Sequence, residues 1–307
     1  MIAVVQGLAV IWIVIGIGYL AGRTNLFGDD AEKVFTQLVY YVCVPSLIFL
    51  ALIEADLRAV IGVPFAVAAL SAAATATLVA LVARWWLALR GGDLMLTAMS
   101  SSLANAGYLG LPLAHYILGS SLHVIPVLLF QVGFFTPLFF VLSDLAASGA
   151  RISPGRVLRT IARNPIVYAA AFGILISATG VSLPTQVLGP IRLVAGAAVP
   201  GILLSFGISL VPRETWQLSG AITPIALATI AKLVGQPLAA FVIARFAFSL
   251  SGFELFAVVV MAGLPTAQNA YIAASRSGAG ERIAKGAVLL TTLLAIPSLI
   301  AIGALLT

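Results

Sequence analysis

The sequence predicts an all-α integral membrane protein of ten transmembrane helices in two inverted five-helix repeats, with the fourth and ninth helices broken. Three observations predict it. Of the 307 residues 62% are hydrophobic and only 8% charged, at a mean hydropathy of +1.15, whereas a soluble domain carries about a quarter charged residues. Such a chain cannot cover itself with a water-exposed surface. Apolar runs of membrane-spanning length recur along it, and two proline-containing motifs occur twice, about half the chain apart.

The spans can be justified in order. Residues 2–21 form an apolar run with no Lys or Arg ahead of it and longer than a signal-peptide core, so a retained span is expected rather than a cleaved leader. Span two, 34–53, carries "CVPSLIFLALI"; span three, 60–82, is uninterrupted; span four, 95–117, contains "NAGYLGLPLAHYI"; span five is 122–143. Spans six to ten follow at 164–180, 191–210, 221–246, 255–275 and 285–306. The connection 147–165, "ASGARISPGRVLRTIARNP", is the most basic in the chain and marks its centre. It divides a first repeat, 1–147, and a linker, 148–163, from a second repeat, 164–307. Loops after the odd-numbered spans hold twelve of the sixteen Lys and Arg residues and the opposite side three, Lys232 being inside span eight. The basic side is cytoplasmic by the positive-inside rule, and both termini lie on the other side. The net charge of +6 therefore reflects membrane topology and implies no nucleic-acid partner.

"CVPSLIFLALI" resembles "AVPGILLSFGI" with Pro45 and Pro200 155 residues apart, and "LGLPLAHYI" resembles "AGLPTAQNAYI" with Pro112 and Pro265 153 apart. Each half holds five spans, an odd number, so the second half enters the membrane with opposite polarity. Secondary transporters built from inverted repeats place their binding sites where paired interrupted helices meet near the midplane. Pro45, Pro64, Pro126, Pro137, Pro200, Pro224, Pro237 and Pro297 are read as bends, because proline is common in membrane helices. The two Gly-Leu-Pro breaks, Gly110 to Pro112 and Gly263 to Pro265, are read as sites, since uncharged polar side chains flank them.

Proline removes a backbone donor and clashes with the carbonyl four residues earlier, and an unpaired backbone group in hydrocarbon costs several kcal/mol. Each break must therefore face protein or water. The half-helix that follows presents N–H groups and a partial charge of roughly +0.5, a setting that suits an anion. Asn105 and Tyr108 before the first break, and Thr266, Gln268 and Asn269 in the opening turn of the second half-helix, are the candidate substrate contacts. Capping of the broken ends is the competing role for the amides, and one residue can serve both. Lys232 lies about 16 to 21 Å from either end of its span at ~1.5 Å per residue, too far to snorkel, and every Asp and Glu falls in a loop or at a span end. A buried ammonium is expensive and usually functional or paired, so a role in substrate or coupling chemistry is expected. An Asp/Glu proton relay is not. Either the anion moves down its gradient, or coupling uses Lys232 or a Na⁺ site of neutral ligands.

Cys43 is the only cysteine and His115 and His123 the only histidines, so no disulfide, metal or cofactor site is expected. Paired intramembrane aspartates and His-Glu-x-x-His are both missing, which speaks against an intramembrane enzyme.

Four segments carry a resemblance: "NAGYLGLP", "NPIVYAAAFGILI", "AAVPGILLSFGISL" and "GLPTAQNAYIAASR". The chain resembles a bacterial member of the auxin efflux carrier family, which includes the plant PIN exporters and is related to the bile acid sodium symporters. The resemblance implies a homodimer in the bacterial inner membrane. Helices 1, 2, 6 and 7 would form a scaffold, and helices 3–5 and 8–10 a transport domain moving like an elevator. It also implies a small organic anion as substrate, auxin-like or malate- or malonate-like, and Asn105, seven residues before Pro112, as a substrate contact. The long cytoplasmic loop of many plant members is missing, and span three lacks the acidic residue of their supporting site. Sodium-coupled symport of an amphipathic anion and a non-transporting membrane sensor are the alternatives.

Overall fold

The computed structural model describes residues 2–54, 62–136, 138–139, 142–143, 155, 162, 165–211 and 221–306. All of the basic connection at the centre of the chain except residues 155, 162 and 165 lies outside them, as does Pro137. The described residues are helical throughout apart from turns and one isolated antiparallel bridge, between Ala104 and Thr266. The helices are α1 (Ile2–Arg23), α2 (Ala31–Leu38), α3 (Val44–Glu54), α4 (Val63–Trp85), α5 (Gly91–Ser102), α6 (Leu111–Leu118) and α7 (Ile125–Phe130) in the first half. The second half holds α8 (Pro165–Thr179), α9 (Thr185–Gly196), α10 (Ala198–Ser209), α11 (Ile222–Ile230), α12 (Gln236–Val242), α13 (Gly252–Ala262), α14 (Asn269–Ser277) and α15 (Glu281–Leu306). Among the described residues, five continuous helical stretches are long and apolar enough to cross a membrane: Ala31–Glu54, Val63–Trp85, Thr185–Ser209, Ile222–Ala247 and Glu281–Leu306.

Prolines shape the helices in two ways. Pro64 and Pro126, expected as bends, instead open α4 and α7, where the missing N–H has no helical partner to lose. Three others sit two residues after a wider, π-helical turn: Val39–Cys43 ahead of Pro45, Ala106–Gly110 ahead of Pro112, and Ala231–Gly235 ahead of Pro237. Each turn closes with a bond from the residue before the proline to the carbonyl five back: Val44 to Val39, Leu111 to Ala106, Gln236 to Ala231. The wider turn moves aside the carbonyl that the proline ring would otherwise strike. At Pro237 that carbonyl belongs to Leu233, and Ser298 Oγ donates to it at 3.0 Å.

The helices pack in two groups. α1 lies most extensively along α10, α3 along α8 and α9, and α10 also along α2. Elsewhere α4 packs on α5, α7 and α12, while α5, α11 and α15 pack mutually and α13 lies on α12 and α15. The α1–α10 contact depends on glycines: a Cβ on Gly207 would strike the Ile15 carbonyl, and one on Gly18 would strike that of Leu204. The two groups touch where α6 and the Ala106–Gly110 turn lie against α1 and α10.

Candidate functional site: two interrupted helices

α5 runs out in "SSS" at residues 100–102; the hydroxyls of Ser101 and Ser102 both donate to Ala98 O at 2.7 Å, the local competition for backbone that makes serine common at helix ends. Leu103 is then extended, with φ −84° and ψ 110°. The partner interruption follows α13. Gly263 closes that helix, and Pro265 supplies no donor and holds the preceding residue away from helical geometry. The two exposed segments satisfy each other as a single antiparallel rung: Asn105 N–H donates to Pro265 O at 2.7 Å, and Ala267 N–H to Leu103 O at 2.9 Å. Gln131 completes the rung from α7's end, its amide donating to Ala104 O at 2.8 Å and accepting from Ala104 N–H at 2.9 Å. Thr266 is fully buried; its N–H donates to Thr291 Oγ1 at 3.0 Å and its hydroxyl to Ser100 O at 2.6 Å.

Each interruption leaves a C-terminal helix end with unpaired carbonyls. One pair of side chains closes both. Lys232 is 0% exposed, and its Nζ donates to Ala262 O, the last residue of α13, at 2.8 Å and to Gln236 Oε1 at 2.6 Å. Gln236 in turn donates through Nε2 to Ser102 O, the last residue of α5, at 3.2 Å. An ammonium beside the negative end of a helix is favourable; the sequence offers Lys232 no acidic partner, and the partners it takes are a backbone carbonyl and an amide oxygen.

The N-terminal ends differ from each other. In the first, Asn105 caps the new turn, its Oδ1 accepting from Tyr108 N–H at 3.1 Å and its carbonyl from Leu109 and Gly110 N–H at 3.1 and 2.8 Å. Those amides are spent within the protein. Asn105 is 1% exposed, and its Nδ2 has no partner among the described residues. In the second, α14 begins at Asn269, which is exposed, behind a half-buried Gln268 that makes no side-chain cap bond. Gln268 Nε2 instead reaches Ser209 Oγ, the last residue of α10, at 3.3 Å.

These positions correct several expectations. The first break lies at Leu103–Asn105, ahead of "GYLGLP", and Pro112 stands inside the half-helix that follows it. Gly110 has φ −65° and Gly263 φ −75°, both ordinary for any residue. Their use is close packing: a Cβ would sit 2.7 Å from Val124 Cγ2 at Gly110 and 2.6 Å from Ile302 Cδ1 at Gly263. Thr266 belongs to the crossing segment, and Asn105, Tyr108, Gln268 and Asn269 remain at the half-helix starts. Gln131, Gln236, Ser209 and Thr291 were not expected. Their signal was available only as uncharged polar residues in apolar runs. Behind the rung, a small cleft, with room for about 20 Å³ of water-sized ligand, is lined by Ser71, His123, Gln131, Gln236, Met261 and Ala262 among others.

Comparison with known proteins agrees on one family. The profile described as membrane transport protein matches residues 3–154 and 150–302. An uncharacterized transporter of Methanothermobacter thermautotrophicus is 27% identical over 290 residues, covering 92% of each chain. A Rhizobium meliloti protein whose name provisionally assigns it malonate transport is 26% identical over 294 residues, 91% of this chain and 88% of its own. The uncharacterized transporter YfdV of Escherichia coli K12 is 23% identical over 272 residues, 85% and 84% of the two chains.

Proposed function

The chain belongs to the membrane transport protein family, and from that premise we propose that it is a secondary transporter of a small organic anion, of the auxin efflux carrier type. The single observation that carries the substrate class is the asymmetry of the helix ends at the rung. Lys232 and Gln236 close both C-terminal ends, whereas the N-terminal side offers a buried free amide, Asn105 Nδ2, and the uncapped start of α14. One open, positive helix end and a side-chain N–H donor beside it suit a carboxylate. Asn105, Tyr108, Gln268 and Asn269 would bind it. The malonate in a relative's name makes a dicarboxylate the first substrate to try.

On this reading ten spans form two inverted repeats. The group α1–α3 with α8–α10 would be the scaffold and the dimer contact, and α4–α7 with α11–α15 the transport domain. The packing of the helices into those groups supports the division, and an elevator motion would slide one past the other. Both termini would be periplasmic in a bacterial inner membrane, and transport would be export. Half-helix carbonyl ends are where coupled transporters hold Na⁺, and here Lys232 stands against one of them. Coupling to Na⁺ is therefore not required, and replacing Na⁺ by K⁺ should leave transport unchanged. Uptake of labelled malonate, malate and indole-3-acetate into proteoliposomes tests the site: Asn105→Ala and Asn269→Ala should each reduce it severalfold, and full activity in both would sink the proposal.

A further inference from the structure

We propose that Ser209 is a positioning residue that holds one of the two N–H donors of the Gln268 amide in reserve, so that the substrate gains both only by displacing Gln268 from Ser209. The inference rests on the anion-transporter reading. Three observations lead to it. First, Ser209 cannot itself serve an anion in this arrangement, because its hydroxyl hydrogen is already donated to Phe206 O at 2.7 Å. What it presents to Gln268 is a lone pair, and it accepts from Nε2 at 3.3 Å. Second, Nε2 carries two N–H donors of which Ser209 engages one, and a carboxylate at the start of α14 would seek both; Gln268 is half-buried and makes no cap bond of its own. Third, the two partners belong to different packing groups, Ser209 closing α10 against α1, and Gln268 opening α14 against α5 and α15.

An anionic acceptor outbids a neutral hydroxyl for the same donor, since hydrogen bonds to charged groups are roughly twice as strong as neutral ones. Substrate binding therefore exchanges a long neutral bond for a charge-assisted one and at the same time cuts a link between the two groups. Affinity is lowered by what the Ser209 bond is worth, and a neutral ligand, unable to win Gln268, leaves the link in place.

Binding to purified protein, measured as thermal stabilisation by malonate, malate or indole-3-acetate, tests this. Removing a neutral hydrogen bond from the unbound state should tighten binding about 2- to 10-fold in Ser209→Ala, while Ser209→Thr, which keeps the acceptor, stays at the wild-type value. Gln268→Leu should weaken binding, and adding Ser209→Ala to it should then change nothing. Weaker or unaltered binding in Ser209→Ala, or an undiminished effect of it in the Gln268→Leu background, would overturn the proposal while leaving the transporter reading intact. If the wild-type protein bound none of the anions and transported none, both would fall.

Discussion

Asn105 does two jobs that a pair of substitutions can separate. Its Oδ1 caps Tyr108 N–H, and its Nδ2 is the buried amide without a partner among the described residues. Ala removes both, so unfolding should cost less by about 0.5–2 kcal/mol, the usual value of an N-cap. Ser is as good a cap as Asn but has no amide donor. Denaturation in detergent should thus place Asn105→Ser near wild type and Asn105→Ala below it, with malonate transport reduced in both. Transport at the wild-type rate in Asn105→Ser would reduce Asn105 to a cap. The residue types of the site were legible because polar amides stand out in apolar runs. Their partners were not: Gln131 meets Ala104 across 27 positions and Lys232 meets Ala262 across 30, and nothing local in either segment announces the other.

Among elements, spans two, three, seven, eight and ten correspond to continuous apolar helices of membrane-crossing length among the described residues, whereas the place of interruption differs from the expected one. Pro45 and Pro200 do occupy like positions, in the opening turns of α3 and α10. Pro112 and Pro265 do not, one lying inside a half-helix and the other in the crossing segment. The residues at the N-cap positions of the two half-helices are Asn105 and Gln268. Proline is the expected breaker, yet a π turn absorbs Pro112, and the helix ends earlier, where serines and an asparagine compete for the backbone. The α1–α10 contact gives a prediction of its own. Gly207 packs where a side chain would enter the backbone of α1, so neither rotamer choice nor repacking relieves a substitution there. Gly207→Val should destabilise by about 1–3 kcal/mol or more, as overpacking does, while Gly189→Val, at an open position, should melt close to wild type. Equal melting temperatures for the two would mean that α1 and α10 do not need their close approach.

For the whole molecule the question is where charge moves. Over a complete cycle Lys232 returns to its starting side, so the net charge carried is that of the substrate alone. An inside-negative potential favours export by about 2.3 kcal/mol per charge per 100 mV, which is roughly 50-fold in gradient per charge. The individual steps differ from the cycle. If Lys232 is charged and travels with the proposed transport domain, a monocarboxylate crosses as a neutral complex and the empty carrier returns with one positive charge. Counterflow, which uses only loaded steps, should then be insensitive to an imposed K⁺ diffusion potential for indole-3-acetate, although net export responds to it. Malonate, with two charges against one, should show potential-sensitive counterflow. Lys232→Met removes the moving charge, and so should make indole-3-acetate counterflow sensitive to potential in whatever activity remains. Counterflow of indole-3-acetate that responds to potential in the wild type, and equally in Lys232→Met, would show that the ammonium does not cross with the substrate. Its position between the ends of α5 and α13 would then be structural, a cap held on two helices, and the asymmetry at the rung would stand without it.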